Sequence, residues 1–348
     1  MKSFFTTTRS NVFATFWCRV FILCAIVLIF FTNTALSQTW SEDWEGNWST
    51  DWHITFGTWE VGIPTSGPGS AHNGQNCAAT ILNGNYGNNV DSTRLVRHTS
   101  FVVPPASENP RLRFWHWYYF WINDNDYGKV QIKVDGNQYW EDLPEGFYHD
   151  HSGTVWTRPY IDLTAYAGLS VQISFYFHSD DGYSQAGWYI DDINIETGNI
   201  VFNNPEDWES GYDDWYVDYG TWELGAPSSG PGSAHQGTNC MATILTGNYG
   251  NNVDSTRLIS PQFTIPSASE NPALRFWHWY YFWINDNDYG EVQIRLINSG
   301  EDWLTLEQFH DQSSVWFEAY IPLSNYADST LLLITRWTPF TVKAAKYV

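Results

Sequence analysis

Leu112 to Gly128 reads LRFWHWYYFWINDNDYG, and Leu274 to Gly290 repeats it letter for letter. Three further blocks recur in the same order. Gly84 to Leu95 (GNYGNNVDSTRL) returns at Gly247 to Leu258, Ser66 to His72 (SGPGSAH) at Ser229 to His235, and Gly57 to Glu60 (GTWE) at Gly220 to Glu223. The displacement stays near 160 residues, which is the size of a whole domain and not of a solenoid turn. The chain is therefore expected to hold two tandem copies of one domain, similar enough to bind similar things.

Within a repeat the signal is β. Arg113 to Trp121 is aromatic and strand-like, and after a polar loop Lys129 to Val134 (KVQIKV) alternates polar and apolar with period two. Asp135-Gly136 marks a hairpin turn, and Tyr139-Trp140 begins the next run. Val171, Ile173, Phe175 and Phe177 alternate again, while stretches such as Thr65 to Gly74 break the strands with Gly and Pro. No segment sustains a 3.6-residue period. Many short strands between turns predict an all-β chain of two antiparallel jelly-roll β-sandwiches.

The N-terminus reads as an address. Lys2, Arg9 and Arg19 precede the apolar run Val20 to Phe31, and Ala35-Leu36-Ser37 supplies small residues for cleavage. The run is shorter than the roughly 20 apolar residues of a membrane span, so residues 1–37 are expected to be a signal peptide. The domains then fall at 38–198 and 199–348, with the protein secreted or at the cell surface and not inserted in the membrane after cleavage. The formal net charge is −22, and loss of residues 1–37 removes three basic residues and no acid. Such a surface repels nucleic acid and anionic lipid, and favours cations, calcium above all. Cys18 and Cys24 lie in the signal segment, leaving Cys77 and Cys240 at equivalent places in the two repeats. A disulfide within either domain is thereby excluded, and two buried thiols are expected.

The end of the first repeat, from Tyr166-Ala167-Gly168 through Val171 to Phe175 and on to Gly187-Trp188-Tyr189-Ile190-Asp191-Asp192-Ile193, resembles the MAM-like jelly-roll domains, including bacterial cleaved-adhesin and "choice-of-anchor J" modules. Asp43-Trp44-Glu45-Gly46, Leu112-Arg113-Phe114, Asp126 to Val130, Trp156 and Ser255 to Pro261 fit the same pattern. The resemblance implies an extracellular, non-catalytic adhesion or interaction module that binds glycan or protein and carries a structural calcium ion. The alternative is an accessory substrate-binding region of a larger secreted hydrolase or peptidase. Carried over by position, the calcium ligands would be Glu45 near the first strand, Asp192 on the last and Asp91 between them, with Glu209 and Asp254 in the second repeat. First and last strands of a jelly roll can lie side by side, so such acids meet and need a cation, or else backbone amides, between them. The second repeat keeps Asn325-Tyr326-Ala327 but has no equivalent of the GWYIDDI strand after Thr330, and reads as truncated or frame-shifted.

The aromatic run offers the binding-site alternatives. In a strand Phe114, His116, Tyr118 and Phe120 share one face, and Trp115, Trp117, Tyr119 and Trp121 the other. One face must be core. The other is either packed as well or a platform for sugar rings, which makes Trp115, Trp117 and Trp121, with Trp277, Trp279 and Trp283, the candidate ligand contacts. Asn123 to Gly128 lacks the downstream Glu of an EF-hand loop and reads as a polar hairpin loop. No nucleophile elbow, zinc-protease helix or phosphate loop is present, and Ser70-Ala71-His72 and the acids Glu141, Asp142 and Glu145 come without a catalytic setting. The chain is not expected to be an enzyme.

Overall fold

The computed structural model describes residues 39–121, 125–152, 155–218, 220–250, 256–283, 288–297 and 302–338. The expected signal peptide and Asp254 lie outside the described residues. Among the described residues no helix is long and apolar enough to cross a membrane.

The first repeat contains β1 (Ser41–Glu42), β2 (Trp52–Thr55), β3 (Glu60–Gly62), β4 (Cys77–Ala79), β5 (Thr93–Val102), β6 (Arg111–Tyr119), β7 (Tyr127–Val134), β8 (Glu141–Tyr148), β9 (Tyr160–Asp162), β10 (Ser170–His178) and β11 (Gly187–Glu196). They form two antiparallel sheets. One runs β3-β4-β11-β6-β9 with β1 added on β11, and the other runs β2-β5-β10-β7-β8. The alternations place the core between them. Val130 and Ile132 of β7 and Val171, Ile173, Phe175 and Phe177 of β10 point in from one sheet, and Phe114, Tyr118 and Phe120 with Trp188 and Ile190 from the other; all are buried. The interior is built from rings: Trp188 packs on Trp59, Tyr148 and Phe175 at centroid distances of 5.9, 5.5 and 5.6 Å. A Cβ at Gly128 would stand 2.5 Å from the Trp188 ring, so the indole requires glycine there.

The second repeat contains β12 (Tyr216–Asp218), β13 (Glu223–Gly225), β14 (Cys240–Ala242), β15 (Thr256–Ile259), β16 (Phe263–Thr264), β17 (Ala273–His278), β18 (Tyr289–Leu296), β19 (Leu304–Phe309), β20 (Phe317–Pro322) and β21 (Thr330–Thr338). Its sheet β12-β15-β21-β18-β19 matches the β2-β5-β10-β7-β8 sheet of the first repeat. Its other sheet is split into the pairs β13-β14 and β17-β20. In the first repeat β11 joins β4 to β6; among the described residues of the second repeat nothing does. Cys77 is accordingly buried and Cys240 half-buried, both as free thiols.

The repeats dock through buried arginines. Arg111 Nη2 lies 2.9 Å from Asp214 Oδ1, Arg113 Nη2 donates to the Trp215 carbonyl at 3.3 Å, and Tyr160 stacks on Tyr216 at 5.3 Å.

On the inner face of β6, the His116 ring accepts the Trp188 Nε1 hydrogen at Nδ1, 3.3 Å away, which leaves its own proton on Nε2. Burial pushes its pKa down to about 3, and that of its counterpart His278 to about 4. An unfolded chain would take up these protons near 6.5 while the core refuses them, so stability is full above that pH and drains away as pH falls from there towards 3. His116→Gln, which keeps an acceptor for Trp188 but cannot titrate, is expected to melt lower at neutral pH yet lose less on acidification. Melting curves of both proteins from pH 7 to pH 4 check this; an equal loss in the two would remove His116 as the cause.

Candidate functional site

Strands β1 and β11 lie side by side, with Ser41 opposite Asn194 and Glu42 opposite Ile193. This brings Glu45 and Asp192 to the same loop, residues 72–76. Glu45 Oε1 accepts the amide hydrogens of Gln75 and Asn76, each at 2.6 Å. These bonds hold the Glu45 carboxyl below its ordinary value. Asp192 Oδ2 is 2.7 Å from His72 Nδ1. Asp191 belongs to the same cluster, and the sequence reading passed it over. It is fully buried, its Oδ2 accepting the His72 and Asn73 amides at 3.0 and 3.2 Å, and burial raises its carboxyl to about 7. Plain alternation would send Asp191 and Asp192 to opposite faces. A break in register between Asp191 and Asn194, with Asp192 at φ +45°, turns both towards His72.

In the second repeat Glu209 Oε1 accepts the amides of Thr238 and Asn239 at 2.7 and 2.8 Å, reproducing the Glu45 arrangement. Asp91 is not brought to the Glu45 and Asp192 cluster: its partners are the Ser92 hydroxyl at 2.9 Å and His178 Nδ1 at 3.8 Å. Among the described residues no group of three or more His, Cys, Asp and Glu side chains gathers to hold a metal. Glu45, just beyond β1, and Asp192, on β11, each present carboxylate oxygens to the 72–76 loop, the donor type calcium takes. An ion there would complete its six to eight oxygens from backbone carbonyls and water.

The tryptophans on the outer face of β6 are mostly covered. His72 stacks on Trp115 at 3.9 Å and 13°, and Tyr212 of the second repeat meets Trp115 edge-on at 5.8 Å. Trp117 is buried against Cys77, Ala79 and Tyr189 in a small second core. Trp121 is partly exposed, 4.8 Å from the Tyr183 ring. In the second repeat His235 stacks on Trp277 at 3.8 Å and Trp279 packs over Gly230, while Trp277 and Trp283 stand 47% and 64% exposed.

The open face of the first repeat is on the other sheet. Lys129, Gln131 and Lys133 point outward because Val130 and Ile132 point in. Arg94 Nε of β5 donates to Gln131 Oε1 at 2.9 Å, Gln131 Nε2 donates to Asp142 Oδ1 of β8 at 2.7 Å, and Lys129 Nζ reaches Asp142 Oδ2 at 2.7 Å. Against the effect of burial, the hydrogen bonds from Gln131 and Lys129 hold the Asp142 carboxyl below its ordinary value. Rings flank this polar row. The Arg94 guanidinium sits 4.8 Å above Tyr176, Lys129 Nζ is 5.0 Å from Tyr127, and Tyr127 is 5.4 Å from Phe147. Burial raises the Tyr127 hydroxyl to about 12, so it stays protonated. A depression of about 350 Å³ continues the face between His53, Phe56, Arg94, Lys133, Trp140 and Gln172.

This face was missed in the sequence because its parts come from β2, β5, β7, β8 and β10, whose neighbourhood only the sheet order reveals. The alternation of KVQIKV is the one signal that pointed to it. The equivalent face of the second repeat is different. Arg257 pairs with Asp218 at 2.7 Å, Gln293 bonds Glu291 at 2.8 Å, and Tyr216 lies under Tyr160 of the first repeat.

No family model matches the chain. Bacillopeptidase F of Bacillus subtilis is 34% identical over 139 residues, 40% of this chain and 9% of that protein. The pre-pro-metalloprotease PrtV of Vibrio cholerae is 33% identical over 111 residues, 29% of this chain and 12% of that protein. The chain thus spans about a tenth of the curated relatives it matches. Among solved structures, the CBM22-1-CBM22-2 tandem domain of Paenibacillus barcinonensis Xyn10C is similar at 12% identity and a TM-score of 0.30, covering 89% of this chain and 92% of that one. The K3 cleaved adhesin domain of Lys-gingipain from Porphyromonas gingivalis is similar at 19% identity and a TM-score of 0.30, covering 45% of this chain and 98% of that one. Likenesses this loose say nothing about a ligand.

Gln131 bridges Arg94 and Asp142 from a buried position. Gln131→Leu is expected to lower stability by about 1–3 kcal/mol, a few degrees of melting point, by leaving both partners unbridged. Calorimetry of the two proteins checks this, and an unchanged melting point would show the row contributes nothing to the fold.

Proposed function

We propose that the first repeat is a non-catalytic binding module that takes a neutral glycan on the outer face of the β2-β5-β10-β7-β8 sheet. The row Arg94–Gln131–Asp142–Lys129, set among Tyr176, Tyr127 and Phe147, is the observation that carries this reading. Sugar hydroxyls both donate and accept, and the row offers guanidinium, amide and carboxylate groups held in register by one another. Sugar rings have apolar faces that pack on aromatic rings. The strongly acidic chain disfavours polyanions, which leaves neutral polysaccharide as the fitting class. The row pairs no nucleophile with a general base, so it offers binding and no catalysis. An expected leader segment and a glycan ligand both fit a protein that is secreted or held at the cell surface. A second reading, an accessory substrate-binding segment of a larger secreted peptidase, is favoured by the likeness to bacillopeptidase F and PrtV; it uses the same face with a different anchor.

Titration of the full chain against a panel of soluble neutral and acidic polysaccharides tests the reading. Binding to a neutral glycan is expected, weakened tenfold or more in Arg94→Ala and several-fold in Tyr176→Ala. Trp121→Ala should leave it unchanged. Loss in Trp121→Ala with retention in Tyr176→Ala would move the site to the loop tip, and no binding to any glycan would end the proposal.

Calcium is proposed as a stabiliser of the first repeat, held by Glu45 and Asp192 at the 72–76 loop with backbone and water oxygens completing the shell. Millimolar calcium is then expected to raise the melting point several degrees over chelator. Asp192→Ala should abolish the rise and Asp91→Ala should keep it. Coincident curves with and without calcium would leave the amide bonds to Glu45 and Asp191 as the whole account of those acids.

A further inference from the structure

We propose that the depression beside the polar row of the first repeat is a subsite for one carboxylate-bearing sugar, a hexuronic acid residue on a glycan that is neutral along the rest of its length. The proposal rests on the glycan reading above and names a feature that such a glycan carries. At about 350 Å³ the depression lies at the small end of the range that ligand pockets take. Its basic groups come from three strands by the same alternation that builds the core. His53 of β2 follows the buried Trp52, Arg94 of β5 stands between the buried Thr93 and Leu95, and Lys133 of β7 follows the buried Ile132. Phe56 and Trp140 add rings. Phe56 is 80% exposed and holds φ +50°, a backbone region that bulky residues rarely adopt and that costs energy to keep. An exposed ring of this kind offers its face to a sugar.

Charge identifies the ligand group. The depression is lined by basic side chains and by no acid. Among the described residues neither Arg94 nor Lys133 forms an ion pair. Arg94 gives its Nε to Gln131 and its plane to Tyr176, which leaves Nη1 and Nη2, and Lys133 Nζ lies 4.9 Å from the Trp140 ring. The acids within reach are bound elsewhere: Asp142 accepts from Gln131 and Lys129, and Asp135 from the Ser100 and Ser170 hydroxyls at 2.7 and 2.6 Å. Burial, with the nearby His98 and Lys133, pushes the pKa of His53 below its ordinary value, as a positive field does. The second repeat shows what such an arginine takes when a partner is present. Arg257 holds the position of Arg94, and Asp218 the position of Thr55 on the neighbouring strand, in the same register. There Arg257 Nη2 lies 2.7 Å from Asp218 Oδ2. In the first repeat the neighbouring strand offers Thr55, so the ligand brings the carboxylate, and the guanidinium fork matches it with two parallel hydrogen bonds. The acidic chain still repels a polyanion, since each charge along such a polymer meets the whole surface. One seated carboxylate feels the groups nearest it, and charges beyond about 10 Å are screened.

The test is calorimetric titration of the full chain with methyl β-D-glucuronide, with methyl β-D-glucoside, which has a hydroxymethyl group in place of the carboxylate, and with sodium acetate. The glucuronide is expected to bind with a dissociation constant of about 1 mM, about tenfold tighter than the glucoside or acetate. Thr55→Asp, which gives Arg94 the partner that Arg257 has, should remove the preference for the glucuronide. Lys133→Gln should cut it several-fold and Lys133→Arg should keep it. No binding of the glucuronide at about 20 mM, equal affinity for the two glycosides, acetate as tight as the glucuronide, or a preference that survives Thr55→Asp would each overturn the proposal. The glycan reading itself is decided by the neutral polysaccharides and Tyr176→Ala. If those bind as expected while the two glycosides are not told apart, the carboxylate subsite alone falls.

Discussion

A strand in the middle of a sheet has two edges to satisfy, and in the first repeat β11 satisfies four groups of neighbours at once. Its edges pair with β4, β1 and β6, its inner face supplies Trp188 and Ile190 to the core, and its bulge directs two carboxylates onto the 72–76 loop. Among the described residues of the second repeat no strand takes that place, and there the sheet is divided into two pairs. Backbone groups that lose their ladder partner must turn to solvent or to another chain. The identical aromatic run is more exposed in the second repeat, at Trp277, Tyr281 and Trp283, than in the first, where Trp117 is buried and Trp121 alone is exposed, so its packing is set by its neighbours and not by its own sequence.

The core that β11 closes is made of rings to an unusual extent. Phe114, Phe175, Trp188 and Tyr148 meet edge to face, an arrangement the ring quadrupoles favour. Rings have few torsions, so such a core orders its contents at low entropic cost and positions the strands exactly enough for the outer-face row to form. A buried histidine fits among them only as the neutral ring bonded to Trp188, so the core and its response to acid come from one contact.

Much of this was readable from residues alone. The period-two runs gave β6, β7 and β10 their inner faces, and the many short runs between turns gave the all-β sandwich. Three things were not readable. The bulge at Asp191 breaks the alternation that a sequence argument relies on. The cover over Trp115 comes from His72 in a Gly/Pro-rich loop with no period of its own, and that over Trp117 from Cys77 of β4 and Tyr189 of β11, which the chain brings together only in the folded sheet. The Arg94–Gln131–Asp142 row requires β5, β7 and β8 to be near one another across β10 and β7, and spatial order in a jelly roll is not chain order.

Docking of the repeats has one more effect. Tyr160 of the first repeat lies on Tyr216, and burial there raises Asp218, beside Glu145 and Arg295, to about 6. The sheet face that would duplicate the open one is thus partly spent in holding the repeats together. Gene duplication of a binding domain ordinarily multiplies attachment points, and linked points gain avidity through a high effective concentration. In this chain the second copy has become part of the footing of the first, so under the proposed reading the pair of repeats presents one binding face where duplication would have given two.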